Sequence, residues 1–144
     1  MKLKTIWLAT LFIFYFVGLA TGVFLARQVI ANVAVIKTVG VGVYKDVNCA
    51  LPLTQIDWGV LEPRTAKTFL AYLRNESNVP ISLNMTTQNW NPTEAEQFIS
   101  VSWDQEGKTL EVDQVVLVTF TLSVSAEVSG LTSFSFEIVI IGSG

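Results

Sequence analysis

Acidic side chains are the residues of this chain whose type and spacing could do chemistry. The candidates for a catalytic pair are Asp57, Glu62, Asp104, Glu106 and Glu111. Two carboxylates about 5 to 10 Å apart across a cleft are the arrangement that hydrolyses glycosidic bonds. One small compact domain leaves little room for such a cleft, so we expect no catalytic residue and no enzyme activity.

The chain has no histidine, and this absence removes several kinds of site. Without an imidazole it cannot form Ser-His-Asp or Cys-His nucleophiles, blue-copper centres or ordinary zinc sites. The segment 104–107 has a superficial likeness to a calcium loop, but the later ligands and the terminal glutamate are missing. A hairpin turn is the better interpretation, and we expect no metal ion and no cofactor.

Cys49 is the only cysteine, so no disulfide can form within the chain. The domain must therefore be held together by its hydrophobic core. A bond from Cys49 to another chain is the alternative to the simpler interpretation, which is a small buried apolar side chain.

Two acceptor sequons for N-glycosylation follow the first third of the chain, at Asn75-Glu76-Ser77 and Asn84-Met85-Thr86. A third triplet, Asn91-Pro92-Thr93, is excluded by its proline. Asn75 lies in a predicted turn and Asn84 on the polar face of a predicted strand. We expect glycosylation at one or both of them, provided that the cell has the machinery.

The charge balance argues against nucleic acid as a partner. From Arg27 onward the chain has seven basic residues against twelve acidic ones, a net charge of −5. Nucleic-acid-binding domains need a basic stripe that displaces counterions from phosphate. No motif indicates a small-molecule substrate either, so we expect partners of other kinds.

The elements that must position these residues begin with an N-terminal membrane segment. Lys2 and Lys4 precede residues 5–26, which contain no charged side chain. At ~1.5 Å per residue a helix of this length spans about 33 Å, which matches the bilayer core of roughly 30 Å. We therefore interpret residues 1–26 as a membrane anchor or signal segment, with the membrane itself contacted through residues 5–26.

The flanking charges predict the orientation of this segment. Two lysines before it and Arg27 directly after it place the N-terminus in the cytoplasm and the domain outside, in a single-pass topology. The apolar run is longer than that of a cleavable signal, which favours retention as an anchor. Gly18-Leu19-Ala20 is nevertheless an acceptable cleavage site, and cleavage there would give a secreted protein.

After the membrane segment the apolar residues recur with a period of two, which is typical of strands with one buried face. The clearest example has Val118, Phe120, Leu122 and Val124 alternating with threonine and serine. A single helical turn is predicted near 91–96. We predict about seven strands, at 33–44, 55–60, 66–74, 81–87, 98–103, 114–125 and 132–141.

Seven short alternating strands in this length predict an all-β fold, an immunoglobulin-like or fibronectin-like antiparallel β-sandwich. A small barrel is the alternative. We assign residues 27–43 to a membrane-proximal segment with the first strand, and 44–144 to the sandwich. The aromatic residues Trp58, Trp90 and Trp103 are then expected in the core or at its edge rather than as an exposed sugar-binding platform.

Several short motifs resemble a group of short archaeal secreted or membrane-anchored Ig-like proteins. They are Ile56-Asp57-Trp58-Gly59, Tyr72-Leu73-Arg74-Asn75, Asn89-Trp90, Ser102-Trp103-Asp104 and Phe134-Ser135-Phe136. The resemblance covers the chain from about residue 44 onward. It implies an Ig-like fold and a location outside the membrane, and it implies no activity and no site residue.

Two functions lead at this point, and a third, a carbohydrate-binding module, would need at least two exposed tryptophans on one face. The first is a non-enzymatic cell-surface or envelope protein that presents its domain for adhesion, structural or assembly interactions with other envelope proteins or with copies of itself. The second is a secreted filament subunit. In that case the apolar stretch 28–43 would be a donor strand that completes the sheet of a neighbouring copy, instead of the first strand of its own sandwich.

Overall fold

The computed structural model describes residues 30–144, and these form two β-sheets. The predicted anchor or signal segment at 1–26 lies outside the described residues. The described part contains nine strands and one short 3-10 helix, Thr93–Gln97. The strands are β1 (Ala31–Val39), β2 (Val41–Tyr44), β3 (Gln55–Ile56), β4 (Ala66–Asn75), β5 (Ile81–Asn91), β6 (Ile99–Trp103), β7 (Thr109–Leu110), β8 (Val115–Val124) and β9 (Ser133–Ser143).

The first sheet has the order β3-β1-β9-β5-β7, and the second has the order β2-β4-β8-β6. Most neighbouring strands are antiparallel, as the sequence predicts. β1 is different, because it runs parallel to β9 from Ala31 opposite Ser133 to Val39 opposite Ile141. The first strand of the described domain is thus paired along its whole length with the last.

The two sheets enclose one hydrophobic core, an arrangement consistent with a β-sandwich. The predicted period of two is confirmed in β8 and β9, where alternate residues are buried. Burying one valine, leucine, isoleucine or phenylalanine side chain fully stabilises the fold by about 1.5–3 kcal/mol relative to leaving it exposed. The alternating side chains of these two strands therefore supply much of the force that holds the sheets together.

The segment predicted as one strand at 33–44 is two strands in different sheets. The chain reverses at Gly40, whose φ is +73°, and β2 returns along β4 with Tyr44 opposite Tyr72. A β-carbon at Gly40 would lie 3.0 Å from the carbonyl oxygen of Gly142. A positive φ and this close approach both favour glycine. The single-strand prediction was wrong because a tight reversal between sheets leaves the apolar pattern nearly unbroken.

Other boundaries differ from the prediction more locally. β5 continues to Asn91, beyond the strand predicted at 81–87, with a register irregularity between Gln88 and Asn91. Asn89 takes a positive φ of 54° there. The predicted helical turn is present as the 3-10 helix, whereas β3 and β7 have two residues each. The strand predicted at 55–60 is thus shortened to Gln55–Ile56, and β7, which was not predicted, is too short to show a periodicity.

The described domain has two ends, which we name by how the chain enters it. The entry end contains Ile30, whose N–H donates to the carbonyl of Leu61 at 3.1 Å, and the start of β9. The far end contains Gly40, whose carbonyl accepts from the N–H of Glu76 at 3.3 Å. β1 and β4 both run from the entry end to the far end.

Buried amide side chains fasten loops to these strands. Asn32 of β1 donates to the carbonyl of Gly59 at 2.8 Å and accepts from the N–H of Trp58 at 3.1 Å. Gln105 donates to the carbonyl of Leu117 at 3.0 Å. Because a buried polar group is costly unless it is hydrogen-bonded, these contacts fix where each loop lies.

Candidate interaction surface

The five candidate carboxylates lie outside the strands, on three different connections: β3 to β4, β6 to β7 and β7 to β8. Asp57 accepts from the N–H of Gly59 at 2.8 Å, within its own turn. Asp104 accepts from the N–H of Thr119 at 2.9 Å and so extends the edge that β6 covers. Among the described residues no group of three or more acidic, cysteine or histidine side chains is placed to hold a metal ion.

Glu106 accepts three hydrogen bonds. Its oxygens accept from Asn84 Nδ2 at 2.8 Å, from the N–H of Met85 at 3.1 Å and from Trp103 Nε1 at 2.6 Å. Together these bonds fasten the turn between β6 and β7 to β5. Glu106, a candidate catalytic residue in the sequence, therefore stabilises the contact between this turn and β5.

The two sequons differ sharply in accessibility. Asn75 is 0% exposed, and its amide nitrogen donates both to the carbonyl of Val79 at 2.8 Å and to that of Leu110 at 3.1 Å. Its oxygen accepts from the N–H and the hydroxyl of Ser77. Asn84 is exposed on β5. In the folded domain only the second of these two side chains can be reached by a transferase.

Two of the three candidate tryptophans are buried, as the sequence predicts. Trp58 is 4% exposed and Trp90 is 9% exposed. Trp90 stacks on Phe136 with ring centroids 4.2 Å apart. Trp103 is half-buried and stacks on Phe120 at 6.1 Å. These three side chains therefore provide no pair of exposed rings on one face for stacking on sugars.

Cys49 lies in the loop between β2 and β3 and is partly buried, with φ of 55°. Its thiol lies 3.8 Å from the carbonyl oxygen of Val47. A cavity of about 220 Å³ opens between β1 and β2. Its walls include Ile36, Val43, Leu53, and Glu76, whose carboxylate accepts from the Tyr44 hydroxyl. A cavity of this volume has room for a small organic molecule and nothing larger.

The outer face of the first sheet carries a closed polar cluster among exposed valines. Glu137 of β9 accepts from Lys37 Nζ at 2.8 Å, from Gln88 Nε2 at 2.8 Å and from Asn89 Nδ2 at 2.9 Å. The hydrogen bond from Lys37 is the main reason why the pKa of Glu137 lies below its usual 4.5. The charged groups of this face thus satisfy one another within the chain.

The outer face of the second sheet has a different composition, and we call its central part the uncharged face. It consists of the outward side chains of β4 and β8, namely Ala66, Thr68, Leu70, Tyr72, Leu117, Thr119, Thr121 and Ser123. Leu70 is 58% exposed and Leu117 is 48% exposed. The neighbouring strand β6 adds Ser100 and Ser102. Exposed leucines beside a half-buried tyrosine are typical of interaction surfaces.

The uncharged face is divided into two bands along the strands. Towards the far end, Tyr44, Tyr72 and Leu117 lie side by side on β2, β4 and β8, with Leu70 next to them. Towards the entry end the outward residues are hydroxyl-bearing or small. An apolar band therefore lies beside a hydroxyl band, and Arg74 with Asp113 marks the far margin as an ion pair of 3.5 Å.

Comparisons with known proteins add no functional information. No protein-family model matches the chain, and no curated protein matches it either. Within residues 30–144 no helix is long and apolar enough to cross a bilayer. What the protein does must therefore be argued from its own residues.

Proposed function

We propose that this protein is a non-enzymatic envelope protein that holds an Ig-like domain against the outer side of the cell membrane. One observation carries the proposal. Ile30 is already fully buried and bonded to Leu61. It lies three residues after Arg27 and four after the end of the predicted anchor at residue 26. A domain attached this closely to residues 5–26 has little freedom to move away from the bilayer.

The Ig-like assignment is supported by how the first strands are distributed. β1 pairs with β9 in one sheet, and after Gly40 the chain supplies β2 to the other sheet. Ig-type sandwiches likewise divide their strands between two antiparallel sheets that pack over one core. The resemblance to archaeal Ig-like proteins that the sequence suggests agrees with this assignment.

A non-enzymatic role is supported by the chemistry that is present. The chain has no histidine, and the candidate carboxylates Asp57, Asp104 and Glu106 are each bonded to backbone or side-chain groups of the fold. We propose adhesion, envelope structure or assembly as the activity, with other envelope proteins or further copies of the chain as partners.

Glycosylation belongs to the same proposal, and we place it at Asn84. Its side chain is exposed on β5, and a glycan there would replace one hydrogen bond to Glu106. Asn75 would have to lose all its hydrogen bonds to be modified after folding. A surface glycan at Asn84 fits a domain that faces the outside of the cell.

Membrane fractionation of the native cells tests the proposal. We expect the intact chain of 15.9 kDa, plus any glycan, in the membrane fraction and resistant to alkaline extraction. Protease added to intact cells should remove the domain, since it is placed outside. A chain that is extracted by alkali, or one that is protected until the cells are opened, would contradict the proposal.

The filament subunit remains the second candidate function, and the position of β1 favours it. β1 is the first strand described, it pairs along nine positions with β9, and one reversal at Gly40 joins it to the rest. If Gly40 opened, β1 could fill the same position in a neighbouring copy. Large detergent-resistant assemblies in the medium, visible by electron microscopy, would support this function over the anchored one.

A further inference from the structure

We infer that β6, Ile99–Trp103, is a docking edge to which a partner protein adds an extended segment. The segment alternates apolar and small polar residues, carries basic residues at both ends, and lies antiparallel to β6 as a further strand of the second sheet. The inference names a partner class for the proposed assembly role and rests on that role only for where the partner is met. The contact itself follows from the backbone, the apolar surface and the charges around β6.

The backbone groups of β6 alternate between β8 and the outside of the sheet. The N–H of Ser125 donates to the carbonyl of Phe98 at 2.8 Å, and the register continues unbroken from there. In an antiparallel pair every second residue bonds to the neighbouring strand, so the even-numbered residues of β6 bond to β8. The N–H and carbonyl groups of Ile99, Val101 and Trp103 therefore point away from β8. No strand of residues 30–144 lies beyond β6 in this sheet.

The other terminal strands of the two described sheets are protected from pairing. β3 and β7, at the edges of the first sheet, have two residues each. β2 is covered by the loop that follows it, where the N–H of Leu53 donates to the carbonyl of Val43 at 2.9 Å. Natural proteins protect exposed edges with short strands, proline, lysine or bulges. β6 has five residues, none of them proline or charged, and it contains no bulge.

Hydrophobic side chains along β6 are left partly exposed. Among residues 30–144 six hydrophobic side chains pack against the core while only partly buried, and Phe98, Val101 and Trp103 are three of them. The side chains of an added strand lie on the same face as the residues opposite them. Apolar residues opposite Val101 and Trp103 would therefore cover this surface, and small polar residues would lie beside Ser100 and Ser102.

The connections on both sides of β6 are acidic. Glu94 and Glu96 lie on the 3-10 helix before it, and Asp104 and Glu106 lie on the turn after it, all at exposed positions. Between residues 93 and 110 the one basic residue is Lys108. β8 and β5, the strands next to β6 and its connections, contain no charged residue. A segment with lysine or arginine at both ends therefore meets opposite charge at both ends.

The same charges argue against β6 of a second copy as the added strand. If two copies of β6 paired antiparallel about Val101, the helix with Glu96 of one copy would come to the same end as the turn with Asp104 and Glu106 of the other. Like charges would then meet at both ends, which is unfavourable. The net charge of −5 from Arg27 onward adds to this repulsion. A basic segment of another protein avoids both effects.

Amide hydrogen exchange of the full chain in detergent, followed by NMR, tests the inference with a synthetic peptide. The probe is Lys-Lys-Val-Thr-Val-Thr-Val-Lys-Lys, and its control has glutamate in place of every lysine. We expect saturating basic peptide to slow exchange of the outward amides of Val101 and Trp103 about tenfold, because they become hydrogen-bonded. The amides of Ser100 and Ser102, which already bond to β8, should change little. The acidic peptide should protect none of them.

The other outcomes of this experiment overturn the inference. No slowing with either peptide would refute the docking edge, and slowing confined to other strands would place the contact elsewhere. Equal slowing with both peptides would refute the selection of a basic partner. Membrane fractionation reports separately on the anchorage, since peptide binding in detergent does not depend on it.

Methylated peptides test whether the backbone makes the contact. An N-methyl group on the central valine of the basic peptide removes a donor that faces β6, whereas one on a threonine lies on the outer edge of the added strand. We expect about tenfold weaker binding from the first change and less than about twofold from the second. Equal effects of the two changes would mean that the peptide does not pair as a strand.

Two variants of the chain locate the contact. Val101→Pro removes an outward N–H from an edge strand, a position where proline is tolerated, so we expect a folded domain whose peptide binding is at least about tenfold weaker. Glu96→Lys should weaken binding about fivefold at low salt, and the matched Glu111→Lys, on the turn between β7 and β8, should change it less than about twofold. Unchanged binding in Val101→Pro, or equal losses in the two lysine variants, would refute the proposed contact.

Discussion

The two outer faces of the domain come from strands with the same alternating pattern, yet their polar groups differ in how far they bond to one another. On the first sheet Glu137, Lys37 and their amide neighbours bond to one another and leave little polar capacity for a partner. On the second sheet the hydroxyl groups and the exposed leucines have few such contacts with their own chain. The comparison teaches that surface composition, rather than fold, decides whether the polar groups of a face bond within the chain or are left for a partner.

The largest expected effect tests whether the two sheets share one core despite their different surfaces. Phe120 of β8 and Phe136 of β9 are 0% and 2% exposed. Replacing either by alanine should cost about 3–5 kcal/mol, because both the burial and the filled volume are lost. Urea unfolding of the full chain in detergent, followed by tryptophan fluorescence, measures this. A loss below about 1 kcal/mol at one of the two would mean that the sheets are not equally supported.

The next effect compares one buried asparagine from each sheet. Asn75 makes two donor bonds and accepts two more, whereas Asn32 makes one of each. We expect about 2–3 kcal/mol from Asn75→Ala and about 1–2 kcal/mol from Asn32→Ala, since each leaves buried partners unsatisfied. The same unfolding experiment ranks them, and the reverse order would contradict the account of Asn75.

Gly40, where the chain passes from one sheet to the other, should give a smaller effect. Gly40→Ala combines a positive φ with a contact to the carbonyl of Gly142, and we expect a loss of about 1–2 kcal/mol. Gly130→Ala is the control, because its φ is +69° but no atom lies within 4 Å of the added carbon. Equal losses of stability in thermal unfolding would show that the positive φ alone causes the loss at Gly40. The contact with the carbonyl of Gly142 would then contribute nothing.

The smallest effect probes the outer faces themselves and depends on pH. Glu137→Gln should lower the Tm at pH 7, whereas Thr121→Val on the uncharged face should stay within about 0.5 kcal/mol of the original. Because the folded pKa of Glu137 lies below 4.5, its contribution is present above that pH and is lost as the pH falls further. The Tm difference between Glu137→Gln and the original chain should therefore close on acidification. A difference that stays constant as the pH falls well below 4.5 would argue against the ion pair as its source.

The strands with long alternating runs could be predicted from the sequence to within a residue or two. β6, β8 and β9 fall where the apolar period placed them, because one buried face imposes that period on the residues themselves. The reversal at Gly40 and the parallel pairing of β1 with β9 could not be predicted. Both depend on contacts between residues about a hundred positions apart, which leave no local pattern.

The candidate surface was less predictable than the fold. The sequon at Asn75 is a local motif, whereas its burial is set by Val79 and by Leu110 on a different strand. The uncharged face was not identified either, since Leu70 and Leu117 lie on outward positions of strands that are far apart in sequence. One signal was available: both leucines interrupt the polar half of an alternating pattern, where threonine or serine is otherwise common.

The parallel pairing of β1 with β9 has a mechanical consequence. A pull on the entry end at Ile30, opposed by a pull at Ser143, acts along both strands in opposite directions. The nine register pairs between them are then loaded together in shear, instead of opening one after another from an end. Loaded in this way, β1 and β9 resist separation far better than the same strands would if they were peeled apart.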